Sequence, residues 1–293
     1  PIYLKPRLFE PLGIESHRWE TSPEDIEFGG WGLHITTESI AKFGQLLLQD
    51  GWWEGKRLIP ATWIAQASSK QVINGDGGTN DWGHGYGFQF WRCQTDCYRG
   101  DGAFGQLCVV IPRLDMVVAV TACVDDIGAE LRCLWDELLP KVQSKGMPAS
   151  KDLDKLKTKL SSLKLPLASG DKGAEAVSGL QGRYKVEGGG FSDAGFVLEA
   201  SSVHIELQGK ETQVSFAAGF KDWIRGRMDG GPIAASCAWK QDGSLAVKIR
   251  FTEGTYGEDW TCSFDSGSLK IVRRARGTFS GPDMPEVKGA KTD

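Results

Sequence analysis

The chain has 293 residues, enough for one large or two ordinary domains. Its 34 basic and 38 acidic residues give a net charge of -4 with no basic block, which argues against nucleic acid as a partner. With 25% charged and 40% hydrophobic residues, and no apolar run near the ~18 residues of a membrane span, the composition is that of a soluble globular protein with no membrane partner.

In chain order, residues 2–9 read as the end of a helix stopped by Glu10-Pro11-Leu12-Gly13, and residues 15–30 as an irregular loop anchored by Trp19. The chain opens on Pro1 inside an amphipathic pattern, so it reads as cut from a longer product, and the lack of a signal-like start is uninformative. Thr36 or Thr37 caps a helix over 38–49, with Ile40, Phe43, Leu46 and Leu47 at helical spacing and Asp50-Gly51 as its stop. Pro60 opens a short helix over 61–67. After a glycine-rich loop over 74–80 come three strand-like runs, 86–91, 107–111 and 116–122, read as an antiparallel three-strand meander. The second and third runs are nearly all apolar, which predicts cover on both faces. A helix over 128–142, with Leu131, Leu134, Trp135, Leu138 and Leu139 at helical spacing, supplies one cover.

Gly100-Asp101-Gly102-Ala103-Phe104-Gly105 matches the spacing of a dinucleotide fingerprint. That fingerprint needs a strand before the glycines and a helix after them. Here a strand-like run follows, so the glycines are read as a tight turn or a point of close ligand approach, and no cofactor is expected.

Past residue 142 the pattern changes. Residues 146–175 read as a linker, with a Lys/Leu-alternating helix over 151–164 and further linker over 165–173. From residue 180 about eight short strands at regular spacing predict a small barrel or sandwich. The expected organisation is a domain over 1–145, a linker over 146–175, an all-β, lipocalin-like domain over 176–280 and a flexible tail over 281–293.

The seven cysteines are odd in number, and four lie in apolar runs or on helix faces. Buried reduced thiols are the plain reading, which points to a reducing, cytoplasmic location. Cys93 and Cys97 are placed to pair across a hairpin end, and too few ligands surround them for zinc, so no metal is expected.

Several landmarks in order resemble the C-terminal half of the class C β-lactamase-like serine hydrolases, which include penicillin-binding proteins, esterases and amide hydrolases. They are Tyr3-Leu4-Lys5-Pro6-Arg7-Leu8-Phe9-Glu10-Pro11-Leu12-Gly13-Ile14, the glycine turn Gly29-Gly30-Trp31-Gly32-Leu33 with the helix after it, the strand run 86–91, and Gly102-Ala103-Phe104-Gly105-Gln106 leading to Pro112. The last half resembles the small β-barrel appended to some of these enzymes. The resemblance implies an α+β fold: a partial β-lactamase/transpeptidase-like domain, antiparallel sheet with helices, followed by the all-β domain.

It also implies an acyl-serine mechanism built from a Ser-x-x-Lys turn, a Tyr-x-Asn loop and a Lys- or His-Thr-Gly strand start. In family order the first two lie upstream of the segment matched here, so no catalytic residue is assigned in this chain. The third is replaced by Arg99-Gly100-Asp101-Gly102. Arg99, Asp101, Gly102, Ala103 and His84 are the expected substrate-binding residues, with the Ala103 amide as oxyanion donor.

The Ser-x-x-Lys strings that do occur are weaker. Ser161 to Lys164 and Ser169 to Lys172 sit in the linker, and Ser39 and Lys42 are expected on the solvent side of their helix. No Gly-x-Ser-x-Gly elbow is present. His17 and His34 show no partner, His204 reads as an outward strand residue, and Trp223, Trp239 and Trp260 as packing residues. The implied partner is a small amide or ester substrate of the parent protein, with self-association or pairing with the missing half as a second expectation. The alternative is a non-catalytic ligand-binding or interaction protein that works through its β domain.

Overall fold

The computed structural model describes residues 2–142, 152–170 and 180–292. The chain is mostly β and divides into two compact units, Pro1–Ser150 and Lys151–Asp293.

In the first unit, residues 5–9 form a π-helical turn. The loop expected over 15–30 contains β1 (His17–Trp19), which pairs antiparallel with β2 (Leu33–Ile35). Trp19 anchors the intervening loop by donating from Nε1 to the Phe28 carbonyl at 2.8 Å. Helix α1 (Thr37–Leu48) starts where Thr36 accepts from the Ser39 N–H, a side-chain cap that satisfies one of the free amides of the first turn. The two-residue strands β3 (Trp52–Trp53) and β4 (Lys56–Arg57) form a small hairpin, and α2 (Ala61–Ser68) follows with Pro60 as its N-cap.

The expected three-strand meander is a four-stranded antiparallel sheet. Its order is β5 (Trp91–Arg92), β6 (Tyr98–Gly102), β7 (Gln106–Ile111) and β8 (Met116–Val120). Residues 86–91 supply only the start of β5 and two isolated bridges at Tyr86, to Val72 and to Trp91. The glycine segment over 100–105, read as a tight turn, opens inside a full strand: residues 98–102 pair from Tyr98↔Val110 to Gly102↔Gln106, and the turn itself follows at 103–105. Its glycines and charges hide a strand whose ladder is set by the apolar β7 beside it.

β7 is covered on both faces, as its composition predicts. Leu107, Val109 and Ile111 pack with Leu131, Leu134 and Trp135. Val110 packs on the other face with Leu47 and Ile64, and Gly44 of α1 lies against Cys108 and Val117. β8 differs from expectation: it is an edge strand, and all five of its residues are only half-buried. The covering helix is α3 (Ile127–Arg132), continued as a π-helical segment over 133–138 and a 3-10 turn at 139–141, where Pro140 lacks an N–H to continue the ladder.

The second unit begins with α4 (Leu153–Ser161), exposed along its whole length. Residues 165–170, expected as linker, instead lie along the barrel. The Ala168 N–H donates to Ser236 Oγ at 2.9 Å, Lys248 Nζ to the Leu167 carbonyl at 3.0 Å, and Trp223 Nε1 to the Leu165 carbonyl at 3.1 Å. Residues 171–173 of that expected linker lie outside the described residues.

The barrel strands are β9 (Gly182–Glu187), β10 (Phe191–Leu198), β11 (Ser202–Gly209), β12 (Gln213–Gly219), β13 (Ile224–Met228), β14 (Gly231–Trp239), β15 (Leu245–Phe251), β16 (Gly257–Asp265), β17 (Ser268–Arg276) and β18 (Val287–Lys291). The order β12-β11-β10-β9-β18-β17-β16-β15-β14 closes through a parallel contact, Gly219↔Ser236, with β13 on the free half of β14's edge. The tail expected to be flexible therefore supplies β18, which fills the gap between β9 and β17 and fully buries Val287. Alternation along each strand sends Phe196, Phe216, Trp239 and Trp260 into a closed apolar interior.

Candidate functional site

The sequence-derived site residues converge, in part, on the end of the β6–β7 hairpin. Strand periodicity puts Arg99 and Asp101 on one face of β6, opposite Val109 and Leu107. Arg99 is fully buried, and its Nε and Nη2 both lie 2.9 Å from Asp101 Oδ2. Nη1 donates to the Asp81 carbonyl at 3.2 Å and to Cys93 Sγ at 3.3 Å. Trp82 stacks on the guanidinium at 5.3 Å and donates from Nε1 to the same Asp101 oxygen at 3.1 Å. Trp135 Nε1 donates to Asp81 Oδ1 at 2.7 Å, which ties the network to the covering helix. Arg99 is thus an internal strut that fixes the strand end, not a cation presented to solvent.

Gly102, Ala103, Phe104 and Gly105 make the turn beyond this network. Phe104 and Gly105 both have positive φ, and a Cβ on Gly105 would stand 2.3 Å from Glu130 Oε2. The glycine is what lets Glu130 approach. Gln106 Nε2 donates to the Ala122 carbonyl at 2.6 Å, and the Val124 N–H to the Phe104 carbonyl at 3.1 Å, so the turn is held from β8's side. Ala103 is the exposed residue of the turn.

His84 is half-buried, and its ring sits over Gly77, 3.1 Å from where a Cβ would stand. Among the described residues, none of the hydrogen bonds of Arg99 or Asp101 goes to His84.

Sequence reasoning missed Glu130. Both of its carboxylate oxygens are buried without a hydrogen-bond partner among the described residues. Burial first, and then the charge of Asp101, hold its pKa above the ordinary 4.5. The signal was available: Glu130 is three residues after Ile127 and four before Leu134, on the buried stripe of its helix. Chemically, this is a carboxyl group disposed to keep a proton beside a glycine turn.

Among the described residues, none of the Ser-x-x-Lys serines is hydrogen-bonded to its lysine. Ser39 is buried, not solvent-facing as expected, and its Oγ bonds Thr36 Oγ1 at 2.9 Å. Lys42 turns away, donating to the Gly13 carbonyl at 3.2 Å and pairing with Glu38 at 3.5 Å. Ser161 donates to the Thr158 carbonyl, Lys164 pairs with Asp222, and Lys172 lies outside the described residues.

None of the seven cysteines is in a disulfide; Cys133 is exposed and Cys123 half-buried, so not every thiol is a core residue. Cys93 and Cys97 form no disulfide: Cys97 Sγ lies 3.1 Å from the Gln94 carbonyl and Cys93 Sγ accepts from Arg99, while the neighbouring Cys93 chiefly lowers the Cys97 thiol from 9.0 to about 6 and Cys97, with burial, raises that of Cys93. No group of three or more potential metal ligands is found among the described residues.

On the barrel exterior, His204 Nε2 lies 3.2 Å from Ser215 Oγ and 3.4 Å from Glu206 Oε1. Both partners address the same ring nitrogen, whereas a relay needs base and orienting group on opposite nitrogens. A surface concavity of ≈ 170 Å³ beside it is lined by Arg183, Asp193, Glu206, Gln208 and Gln213.

No family model matches the sequence, and no curated protein matches it. Solved structures show distant, partial likeness. A Bacillus anthracis protein named as a 6-aminohexanoate-dimer hydrolase aligns at 21% identity and a TM-score of 0.35, covering 54% of this chain. The chain spans 36% of the length of that hydrolase. Lipid binding protein 8 of Caenorhabditis elegans aligns at 11% identity and a TM-score of 0.32, over 38% of this chain and 94% of its own. A heat soluble protein of Ramazzottius varieornatus aligns at 7% identity and 0.31, over 42% and 98%. No helix among the described residues is long and apolar enough to cross a membrane.

Proposed function

We propose that the first unit carries the late strands of a β-lactamase-related serine hydrolase domain, and that the complete domain cleaves an amide or ester through an acyl-serine. The sequence landmarks named above suggest the family. One observation carries the reading of this chain as the non-nucleophilic part: Ser39, the best-placed serine before a lysine, is capped by Thr36 while Lys42 bonds elsewhere. A serine whose base points away cannot be activated by it. The sheet sandwiched between α1 and α3 supports the same reading, since it matches the antiparallel-sheet-with-helices architecture that the resemblance implies.

In this reading the Arg99–Asp101 strut holds the β6 end so that Gly102 and Ala103 stand at the mouth of the completed pocket, with His84 at its rim. Glu130 joins them as a buried carboxyl whose pKa is raised, chiefly by burial. β8 supports a second element of the proposal. It is an apolar edge strand, Met116-Val117-Val118-Ala119-Val120, with unpaired backbone on one side, and such an edge favours pairing with another strand. Its partner would be the missing part of the domain or a second copy.

Intact mass after incubation with a fluorophosphonate, and separately with a penicillin, tests the reading. The expected result is an unmodified chain. A stoichiometric adduct on Ser39 or any other serine would overturn it.

A further inference from the structure

One end of the barrel is built by the turns after β9, β11, β13, β15 and β17, and its interior differs from the rest. Deeper inward positions such as Phe216, Ile233, Ile249 and Trp260 are at most 3% exposed. At this end the inward positions Val214, Met228 and Phe251 are only half-buried, which leaves an apolar rim open to solvent.

Arg273 projects into that end from β17. It takes an inward position between Ile271 and Ala275 and is 7% exposed. Its guanidinium lies between the rings of Phe191, at 5.2 Å, and Trp260, at 5.9 Å. Nε is buried and has no hydrogen-bond partner among the described residues. An unsatisfied buried donor on a cation is costly, and arginine presents it in a planar fork that matches a carboxylate.

The nearby acid does not fill the fork. Glu258 accepts from Trp260 Nε1 at 2.6 Å through Oε2 and from the Tyr256 hydroxyl at 3.0 Å through Oε1. The Gly188-Gly189-Gly190 turn lies over the guanidinium. A Cβ on Gly189 would stand 2.6 Å from Arg273 Nη2, and all three glycines have positive φ. The turn thus passes close over Nη2 with no side chain of its own at that point.

We propose that this end of the barrel binds a small organic monocarboxylate, its oxygens accepting from the Arg273 fork and its compact apolar body resting on Val214, Met228 and Phe251. The ligand is a monoanion because Glu258 stands near Arg273 and would repel a second negative charge. It is compact because the interior below Trp260 is already filled with side chains. The inference concerns the barrel alone and is independent of the reading of the first unit.

Benzoate is the probe, with benzyl alcohol as its uncharged counterpart, titrated into the full chain by calorimetry while the Trp260 indole N–H is followed by NMR. Benzoate is expected to bind saturably and shift that resonance. It should bind at least about tenfold more tightly than benzyl alcohol, the ratio expected for one charge-assisted hydrogen bond. Arg273→Met should lose that preference, and Arg274→Met, on the exposed outward face, should keep it. If circular dichroism shows Arg273→Met unfolded, Arg273→Lys retains the charge without the fork and should weaken benzoate selectively. Equal binding of the two probes, no binding of benzoate at millimolar concentration, or undiminished binding by a folded Arg273 variant would each overturn the proposal.

Discussion

Arg99 and Asp101 stand two residues apart on β6, with Nε and Nη2 of the buried guanidinium both 2.9 Å from one carboxylate oxygen. That oxygen also accepts from Trp82, so two donors, Arg99 Nε and Trp82 Nε1, converge on it, while Nη2 adds a charge contact without a hydrogen bond. Removing one partner of a buried pair leaves the other charge uncompensated, which costs about 3–5 kcal/mol. Arg99→Met is therefore expected to destabilise the first unit by roughly that amount in urea titration. The double variant Arg99→Met/Asp101→Leu should lose less than the sum of the two single changes. A strictly additive pair would mean that the strut contributes nothing as a pair.

Glu130 gives a pH dependence of known sign. Its pKa in the folded chain is raised, chiefly by burial and then by Asp101, so the protonated form is the one the fold favours. The associated stability is fully present below the ordinary value of 4.5 and is lost as pH rises through the folded value. Glu130→Gln removes that loss. The variant should melt at a higher temperature than the parent at pH 7, with the difference shrinking at pH 4. Equal differences at the two pH values would remove Glu130 as a titrating group.

Packing of α1 on the sheet depends on Gly44. A Cβ there would stand 2.5 Å from Val117 Cγ1 and 2.8 Å from Cys108 Sγ. Val117 is β-branched and cannot easily swing aside. Alanine gains about 1 kcal/mol of helix propensity over glycine, but overpacking costs about 1–3 kcal/mol. Gly44→Ala should therefore be neutral at best and destabilising by up to about 2 kcal/mol in the same urea titration. Clear stabilisation would show that α1 can lift off the sheet freely.

Much of this was legible where a residue's own type decides its neighbours. Thr36, the apolar stripe of α1 and the unbroken run of β7 each specify their structure locally. Elements whose ladders are supplied by others were not. β6 reads Tyr-Arg-Gly-Asp-Gly and is a strand because β7 pairs with it along its length. β13 and β18, with their arginines, lysines and glycines, are strands because edges of the barrel were open to them. The site followed the same rule. Once 98–102 is a strand, periodicity alone puts Arg99 beside Asp101. Without the strand the pair is invisible, and Arg99 reads as a substrate-binding residue rather than as Asp101's partner.

The stretch 152–170 gives the last prediction, because its two halves are held very differently. α4 has nine residues, too few to be stable alone in water, where helices shorter than about 12–15 residues are marginal. Nothing among the described residues buries it: Leu153, Leu156 and Leu160 are 50%, 53% and 56% exposed. Residues 165–170, by contrast, are tied to the barrel through Ser236, Lys248 and Trp223, and Ala168 is buried. Gly170 packs so closely that a Cβ would fall 2.0 Å from the Trp239 carbonyl oxygen. Proteases cut the locally opened chain, so trypsin is expected to cleave first at Lys155, Lys157, Lys159 or Lys164. The barrel fragment should retain residues 165–170, and mass spectrometry of the early products reads this directly. First cuts at Lys185 or Lys248, inside the barrel strands, would show that α4 is protected and that the barrel opens before it does.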